Sequence, residues 1–303
     1  MALAGVSDVY SKSNELLNAL LGINISESQL YRVTDYLGNA VAEDVMAEIK
    51  HQKLNSTERV YASMDGSMIQ MDQGWQEVKL GRIFREDCKL ENGTKEQGNI
   101  RYKLDESFYS GHLGSYNHFI PKFEASLGTY KDCEDRLVFI TDGAQWIHNY
   151  LANRFPNATH ILDYYHAVEH LTDFANSHFT DIARREKWVK AQKSELLEGS
   201  AQNVLDNIAK LRKLSKNVRK QRTKLLEYYK NNVDRMDYKS FRSQGLMIGN
   251  GPMEAAHRTV IQTRMKRSGQ RWTPKGAQAM LNLRVLRESN RWSCVTQALS
   301  HAA

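Results

Sequence analysis

Three cysteines in 303 residues, Cys88, Cys133 and Cys294, are too few and too scattered for a disulfide framework or a zinc knuckle. No apolar run approaches the roughly 20 residues of a membrane-spanning helix. The opening, Met1-Ala2-Leu3-Ala4-Gly5-Val6-Ser7-Asp8, has neither the basic start nor the long apolar core of a secretory leader. These absences predict a cytoplasmic protein with reduced thiols.

Acids are missing from two stretches. Positions 210–224 hold Lys and Arg at eight places, Lys213 and Lys220 among them, and no Asp or Glu. Such a run is ordinarily a solvated helix face. Between Glu254 and Glu288 the basic residues again meet no acid. With a net charge of +7 overall, this favours a polyanionic partner, nucleic acid above all. Arg258, Arg264, Lys266, Arg267 and Arg271 are the candidate phosphate contacts, with Trp272 available for stacking or packing.

Two apolar runs end in Asp-Gly: Arg59-Val60-Tyr61-Ala62-Ser63-Met64-Asp65-Gly66 and Leu137-Val138-Phe139-Ile140-Thr141-Asp142-Gly143. A strand stopping at Asp-Gly leaves a carboxylate at a sheet edge, where glycine permits a sharp turn. Taken singly, each reads as an ordinary hairpin or strand-to-helix turn, and it is the surroundings that raise the catalytic reading. Glu254 follows on a helix opened by Gly251-Pro252. Asp65, Asp142 and Glu254 together would suit one or two hard cations, Mg²⁺ or Mn²⁺, as in two-metal phosphodiester cleavage.

The order of elements extends this reading. Residues 12–22 are helical by pattern, with Leu16, Leu17, Leu20 and Leu21 on one stripe. Ser26 and Gln29 form a capping box for a second helix that turns Leu30, Val33 and Leu37 inward and Gln29, Tyr31 and Arg32 outward. This is either a DNA-reading helix-turn-helix, with Gln29 and Arg32 on its recognition helix, or a plain helical hairpin. Strands are expected at Val60–Met64, Gly74–Phe84 and Ile100–Leu104, an exposed loop over Glu86–Asn99, and a helix over His112–Tyr130. The strand through Thr141, a helix from Gly143, and Thr159-His160-Ile161-Leu162-Asp163 make a βαβ unit. Residues 166–248 contain no proline and no alternating run, and read as helical throughout. The fold class is therefore α/β, with ribonuclease-H-like connectivity. Four segments follow: a helical one over 1–52, a first core part over 53–165, a helical insertion over 166–248, and a second core part over 249–290.

Met64-Asp65-Gly66, Thr141-Asp142-Gly143-Ala144-Gln145-Trp146-Ile147, Asp163-Tyr164-Tyr165-His166 and Gly251-Pro252-Met253-Glu254 together resemble a bacterial DDE transposase, of the Kra-type insertion sequences related to Mutator-like elements. The stretches Arg264–Thr273 and Gly276–Met280 also look like that family's C-terminal signature. The resemblance implies a ribonuclease-H-like core, a helical insertion before the catalytic glutamate, and a D-x-x-H motif after the second aspartate. It also implies two Mg²⁺ or Mn²⁺ ions, cleavage at transposon ends, strand transfer into target DNA, and a nucleoid-associated homo-oligomer on DNA. Family members usually carry more sequence in front, so a truncated or internally started product is expected. Asp163 and His166 would sit at the edge of the site, contacting the scissile phosphate or a flipped nucleotide. Equally, Asp163 would be a helix cap and His166 a buried ring. A rival lies in the same residues: His166-Ala167-Val168-Glu169-His170 matches H-x-x-E-H, so a zinc metalloprotease is the alternative, with Glu169 as base. A non-catalytic DNA-binding relic is the third reading.

Overall fold

The computed structural model describes residues 1–94, 100–212 and 214–300. The chain is mixed α/β and divides into two units, Met1–Leu137 with Gly251–Ala303, and Val138–Asn250.

The first unit opens with α1 (Ala2–Ser7), α2 (Tyr10–Leu21) and α3 (Glu27–Ala40). The Ser26 hydroxyl accepts from the Gln29 N–H at 3.2 Å, the N-cap its spacing foretells. Leu30 and Leu37 are buried and Gln29, Tyr31 and Arg32 exposed, as the pattern requires. The leucine stripe of α2 behaves otherwise. Leu16, Leu20 and Leu21 face solvent, while Ser13 is buried and donates to the Ala4 carbonyl at 2.7 Å. That hydroxyl joins α2 to a carbonyl of α1, a helix not anticipated from sequence, and Ser13 in place of the leucine stripe is the buried residue of α2.

Strands β1 (Val60–Met71) and β2 (Gly74–Arg85) form a long antiparallel hairpin, with Asp65 opposite Leu80 and Gly66 opposite Lys79. The expected strand end at Asp65-Gly66 is thus corrected: these two residues lie inside a 12-residue strand. The segment expected as a loop over 86–99 contains β3 (Lys89–Thr94), which pairs with β4 (Ile100–Leu104); residues 95–99 lie outside the described residues. The third strand of the meander is β5 (Phe108–Leu113), antiparallel to β2, and not Ile100–Leu104. Its Ser110-Gly111-His112 is poor in β-formers, and pairing outweighs that weak local preference. The following α4 (Tyr116–Leu127) is capped by Ser115 and starts four residues later than expected.

In the second unit, β6 (Leu137–Thr141; the division falls at its first residue), α5 (Gln145–Arg154) and β7 (Thr159–Leu162) form the expected βαβ unit, with the two strands parallel. Helices α6 (Tyr164–His178), α7 (Ile182–Glu198), α8 (Ala201–Ala209), α9 (Lys216–Lys230) and α10 (Tyr238–Ser243) follow. No helix among the described residues is long and apolar enough to cross a membrane.

The chain returns to the first unit through α11 (Gly251–Ala256), a π-helical turn over His257–Gln262, and α12 (Thr263–Met265), then adds α13 (Pro274–Glu288) and α14 (Trp292–Ser300). Pro274 stands in the first turn of α13, where its missing N–H costs nothing. α13 packs on α3 so closely that a Cβ on Gly38 would overlap the Ala279 carbonyl. Two buried arginines bind this core to α1. Arg264 donates to the Gly5 carbonyl at 2.8 Å. Arg284 donates to the carbonyls of Val6 at 3.2 Å, Val260 at 3.1 Å and Thr259, and pairs with Glu288 at 3.0 Å. Arg284 thus ties two carbonyls of the π-helical turn to α1, and the Thr263 hydroxyl also donates to the Thr259 carbonyl at 2.8 Å.

Arg284→Met should therefore destabilise the fold by about 1–3 kcal/mol, the usual cost of leaving a buried polar group without its hydrogen-bond partner. Denaturant unfolding checks this; a loss below about 1 kcal/mol, the size of a surface ion pair, would show that the carbonyls find other donors.

Candidate functional site

Asp65 is the first carboxylate. Its Oδ1 accepts the Gly66 N–H at 2.6 Å and its Oδ2 lies 3.0 Å from Nε2 of His257. The aspartate side chain is 36% exposed and the histidine side chain 8%. Gly66 has no left-handed φ, so its role is not a turn. A Cβ there would overlap Oε1 of Glu77, whose Oε2 pairs with Lys79 at 2.7 Å. Glu77 is a flexible side chain, 42% exposed, that can give way, so its nearness alone does not demand glycine here.

Glu254 is exposed on α11, which packs on β1 and β2. The buried Arg82 guanidinium donates to the Pro252 carbonyl and to the Ser107 hydroxyl at 2.9 Å, which fixes the start of that helix. Burial pulls the Arg82 pKa below its ordinary value, with the neighbouring Tyr109 opposing the shift. Its guanidinium carbon sits 5.3 Å from the Tyr109 ring centre.

In the second unit, Asp142 stands just beyond β6, and Gly143 takes φ of +92°, the turn expected of this Asp-Gly. Its Oδ1 accepts the Ala144 N–H at 3.0 Å and its carbonyl accepts the Tyr228 hydroxyl at 2.8 Å. Burial, then the negative charge of Asp142, keep the Tyr228 phenol protonated well above its usual range. Asp163 is buried and caps α6: its Oδ1 accepts the N–H groups of Tyr165 at 3.0 Å and Asn250 at 3.2 Å. The capping alternative therefore describes Asp163, but His166 is 35% exposed and not a buried ring. His166 Nδ1 lies 3.3 Å from Glu169, and the Nε2 atoms of His166 and His170 are 3.2 Å apart. One ring must donate to the other. Among the described residues, no three His, Cys, Asp or Glu side chains are preassembled as a metal cage.

The basic candidates separate sharply. Arg258 and Arg271 are exposed, as are Lys220, Gln29 and Arg32. Lys266 is exposed but donates to the Ser67 hydroxyl at 2.6 Å, and Arg267 lies 3.5 Å from Asp8. Arg264 is a correction: at 0% exposure, with its guanidinium carbon 4.8 Å from the Tyr10 ring and 5.3 Å from Trp272, it is out of reach of any phosphate. Trp272 is likewise a packing residue, buried with Nε1 donating to the Met265 carbonyl at 3.0 Å. Lys213 lies outside the described residues. His257, Tyr228 and Arg235 are functional candidates that the sequence does not bring forward. The one signal for His257 is its place a helical turn after Glu254. Tyr228 and the buried Arg235, 3.5 Å from the Thr141 hydroxyl, give none.

Residues 4–294 match the uncharacterised protein family UPF0236. The chain belongs to that family. It is also 21% identical over 291 residues to a protein of Streptococcus gallolyticus described as "UPF0236 protein in vanSb 3'region". That alignment covers 93% of this UPF0236 chain and 61% of the relative.

Within the second unit of this UPF0236 chain, burial and then the neighbouring His166 hold the His170 pKa below its ordinary 6.5. Its unfolded form takes up a proton more readily, so its contribution to stability is present above that value and lost as pH falls below it. His170→Gln should flatten the acid limb of the stability–pH curve. Superimposable limbs for parent and variant would show that the ring charges as readily folded as unfolded.

Proposed function

We propose that this chain is a DDE-type DNA transposase with a ribonuclease-H-like core, in which Asp65, Asp142 and Glu254 are the metal-holding carboxylates. What carries the reading is the arrangement in the first unit: the Asp65 carboxylate is hydrogen-bonded to a residue one helical turn beyond Glu254. The helix itself is anchored by Arg82. Support comes also from Asp142, held at the end of a parallel strand in a βαβ unit, and from the exposed Arg258 and Arg271.

The donor set fits a hard divalent cation. The three side chains offer only oxygen, and a carboxylate that accepts one hydrogen bond per oxygen keeps further lone pairs for a metal. Mg²⁺ commonly takes one or two protein carboxylates and completes its shell with water and substrate phosphate oxygens, so no preassembled cage is required. Bound there, two such ions would supply an activated water or 3′-hydroxyl and stabilise the leaving oxygen. The chain's own work is to orient the carboxylates: Gly66 and His257 at Asp65, Ala144 and Tyr228 around Asp142, Arg82 at the Glu254 helix. Asp163 shapes the α6 start by capping, which leaves His166 as the substrate-facing member of the D-x-x-H pair.

A strand-transfer assay with the element's own ends and Mg²⁺ or Mn²⁺ tests this. Asp65→Asn, Asp142→Asn and Glu254→Gln should each abolish joining while leaving the folded state intact; wild-type joining by any of the three would overturn the assignment. For DNA binding, Arg258→Ala with Arg271→Ala should weaken affinity for all sequences alike. The salt slope should fall by about 0.9 for each phosphate that is no longer neutralised. An unchanged slope would move the DNA path elsewhere.

A further inference from the structure

We propose that His257 is the positioning residue of the Asp65 carboxylate, holding it in the orientation in which it receives a divalent cation. The proposal rests on the reading of Asp65 as a metal ligand.

The ring is built for one contact. His257 is 7% exposed, and its Nε2 reaches Asp65 Oδ2 at 3.0 Å. Its other nitrogen, Nδ1, is buried and has no hydrogen-bond partner. Stranding a buried polar atom is unfavourable. A leucine or methionine would fill the same space without that penalty, so packing alone does not account for a histidine here. The bond to Asp65 does. With a carboxylate oxygen as the acceptor, Nε2 is the ring nitrogen that donates.

The setting of the ring removes its freedom. His257 begins the π-helical turn, and π turns of this kind recur where a helix re-aims a functional side chain. The carbonyls of Thr259 and Val260 inside that turn are held by Arg284, and Ala256 and Val260 beside the ring are buried. With Oδ2 fixed by His257 and Oδ1 by the Gly66 N–H, the carboxylate cannot rotate about its last bond without losing a hydrogen bond. Its remaining lone pairs then point in fixed directions. Partners of this type, one shell behind a ligating group, typically carry about 10- to 100-fold in metal affinity. Sequence could have offered only a helical-turn spacing from Glu254, because the 192 positions between Asp65 and His257 hide the pairing.

The test is Mn²⁺ binding to the full chain without DNA, followed by electron paramagnetic resonance of the free ion, with thermal unfolding of each variant alongside. His257→Leu should bind Mn²⁺ about 10- to 100-fold more weakly, with a melting temperature equal to or above that of the parent. His257→Gln, whose amide can donate to Oδ2, should recover most of the affinity. Asp65→Asn should lose the site. Parent-like affinity in His257→Leu, with the loss seen only in Asp65→Asn, would overturn the positioning role and leave the carboxylate reading standing. A weakened His257→Leu that His257→Gln does not rescue would also overturn it, since the donor is then not what matters. If Asp65→Asn binds as the parent does, or the parent takes up no Mn²⁺ at all, the metal reading fails and the proposal with it.

Discussion

Much of the first unit depends on one guanidinium. Arg284 reaches the carbonyls of Thr259 and Val260 in the π-helical turn and the carbonyl of Val6 at the end of α1. A fixed fork of five donors suits three carbonyls and a carboxylate better than any other side chain would. Without it the wider turn after Glu254 would lose its hydrogen-bonded tie to α1 inside the core, where lost polar contacts are unfavourable. That wider turn also sets His257 beside Asp65. The candidate site is thus held from behind by an ion pair that touches none of its carboxylates.

Much of the architecture is legible from pattern. The βαβ unit, the Ser26 cap and the helical stretch after Asp163 all announce themselves through short-range chemistry: an apolar run, a hydroxyl three residues before an amide, an unbroken absence of proline. The two Asp-Gly pairs look alike in sequence and differ in structure. Gly143 turns the chain with a positive φ, while Gly66 continues a strand beside the Glu77 side chain. What separates them is pairing with the next strand, which carries no local mark. β5 escapes the sequence for a related reason, because its Ser-Gly-His centre pairs with β2 on the strength of register and not of propensity.

Charge counting is the least informative guide to the site. The run from Arg258 to Arg287 mixes solvent-facing side chains with Arg264 and Arg284, which serve the interior. Arginine permits both, since its weakly hydrated planar head stacks on aromatic faces and bonds carbonyls that lysine would fit poorly. Tyr10 and Trp272 flank Arg264 in that manner. An acid-free stretch therefore measures how little carboxylate is available, and not how much positive surface there is.

The division of the chain has a consequence for how the polypeptide acquires its shape during synthesis. The second unit is one continuous stretch, ending at Asn250, whereas the first is split around it. The Val6 carbonyl meets its guanidinium partner 278 positions later. A ribosome making roughly 5–20 residues per second delivers the inserted unit whole while α1 and the β1–β2 hairpin still lack α13. The interior of the first unit can close only after the segment from Gly251 through α13 has emerged. Until then the hairpin side chains that share this core with Val260 and Leu281, among them Ile69, Val78 and Leu80, stay open to solvent or to whatever binds nascent chains.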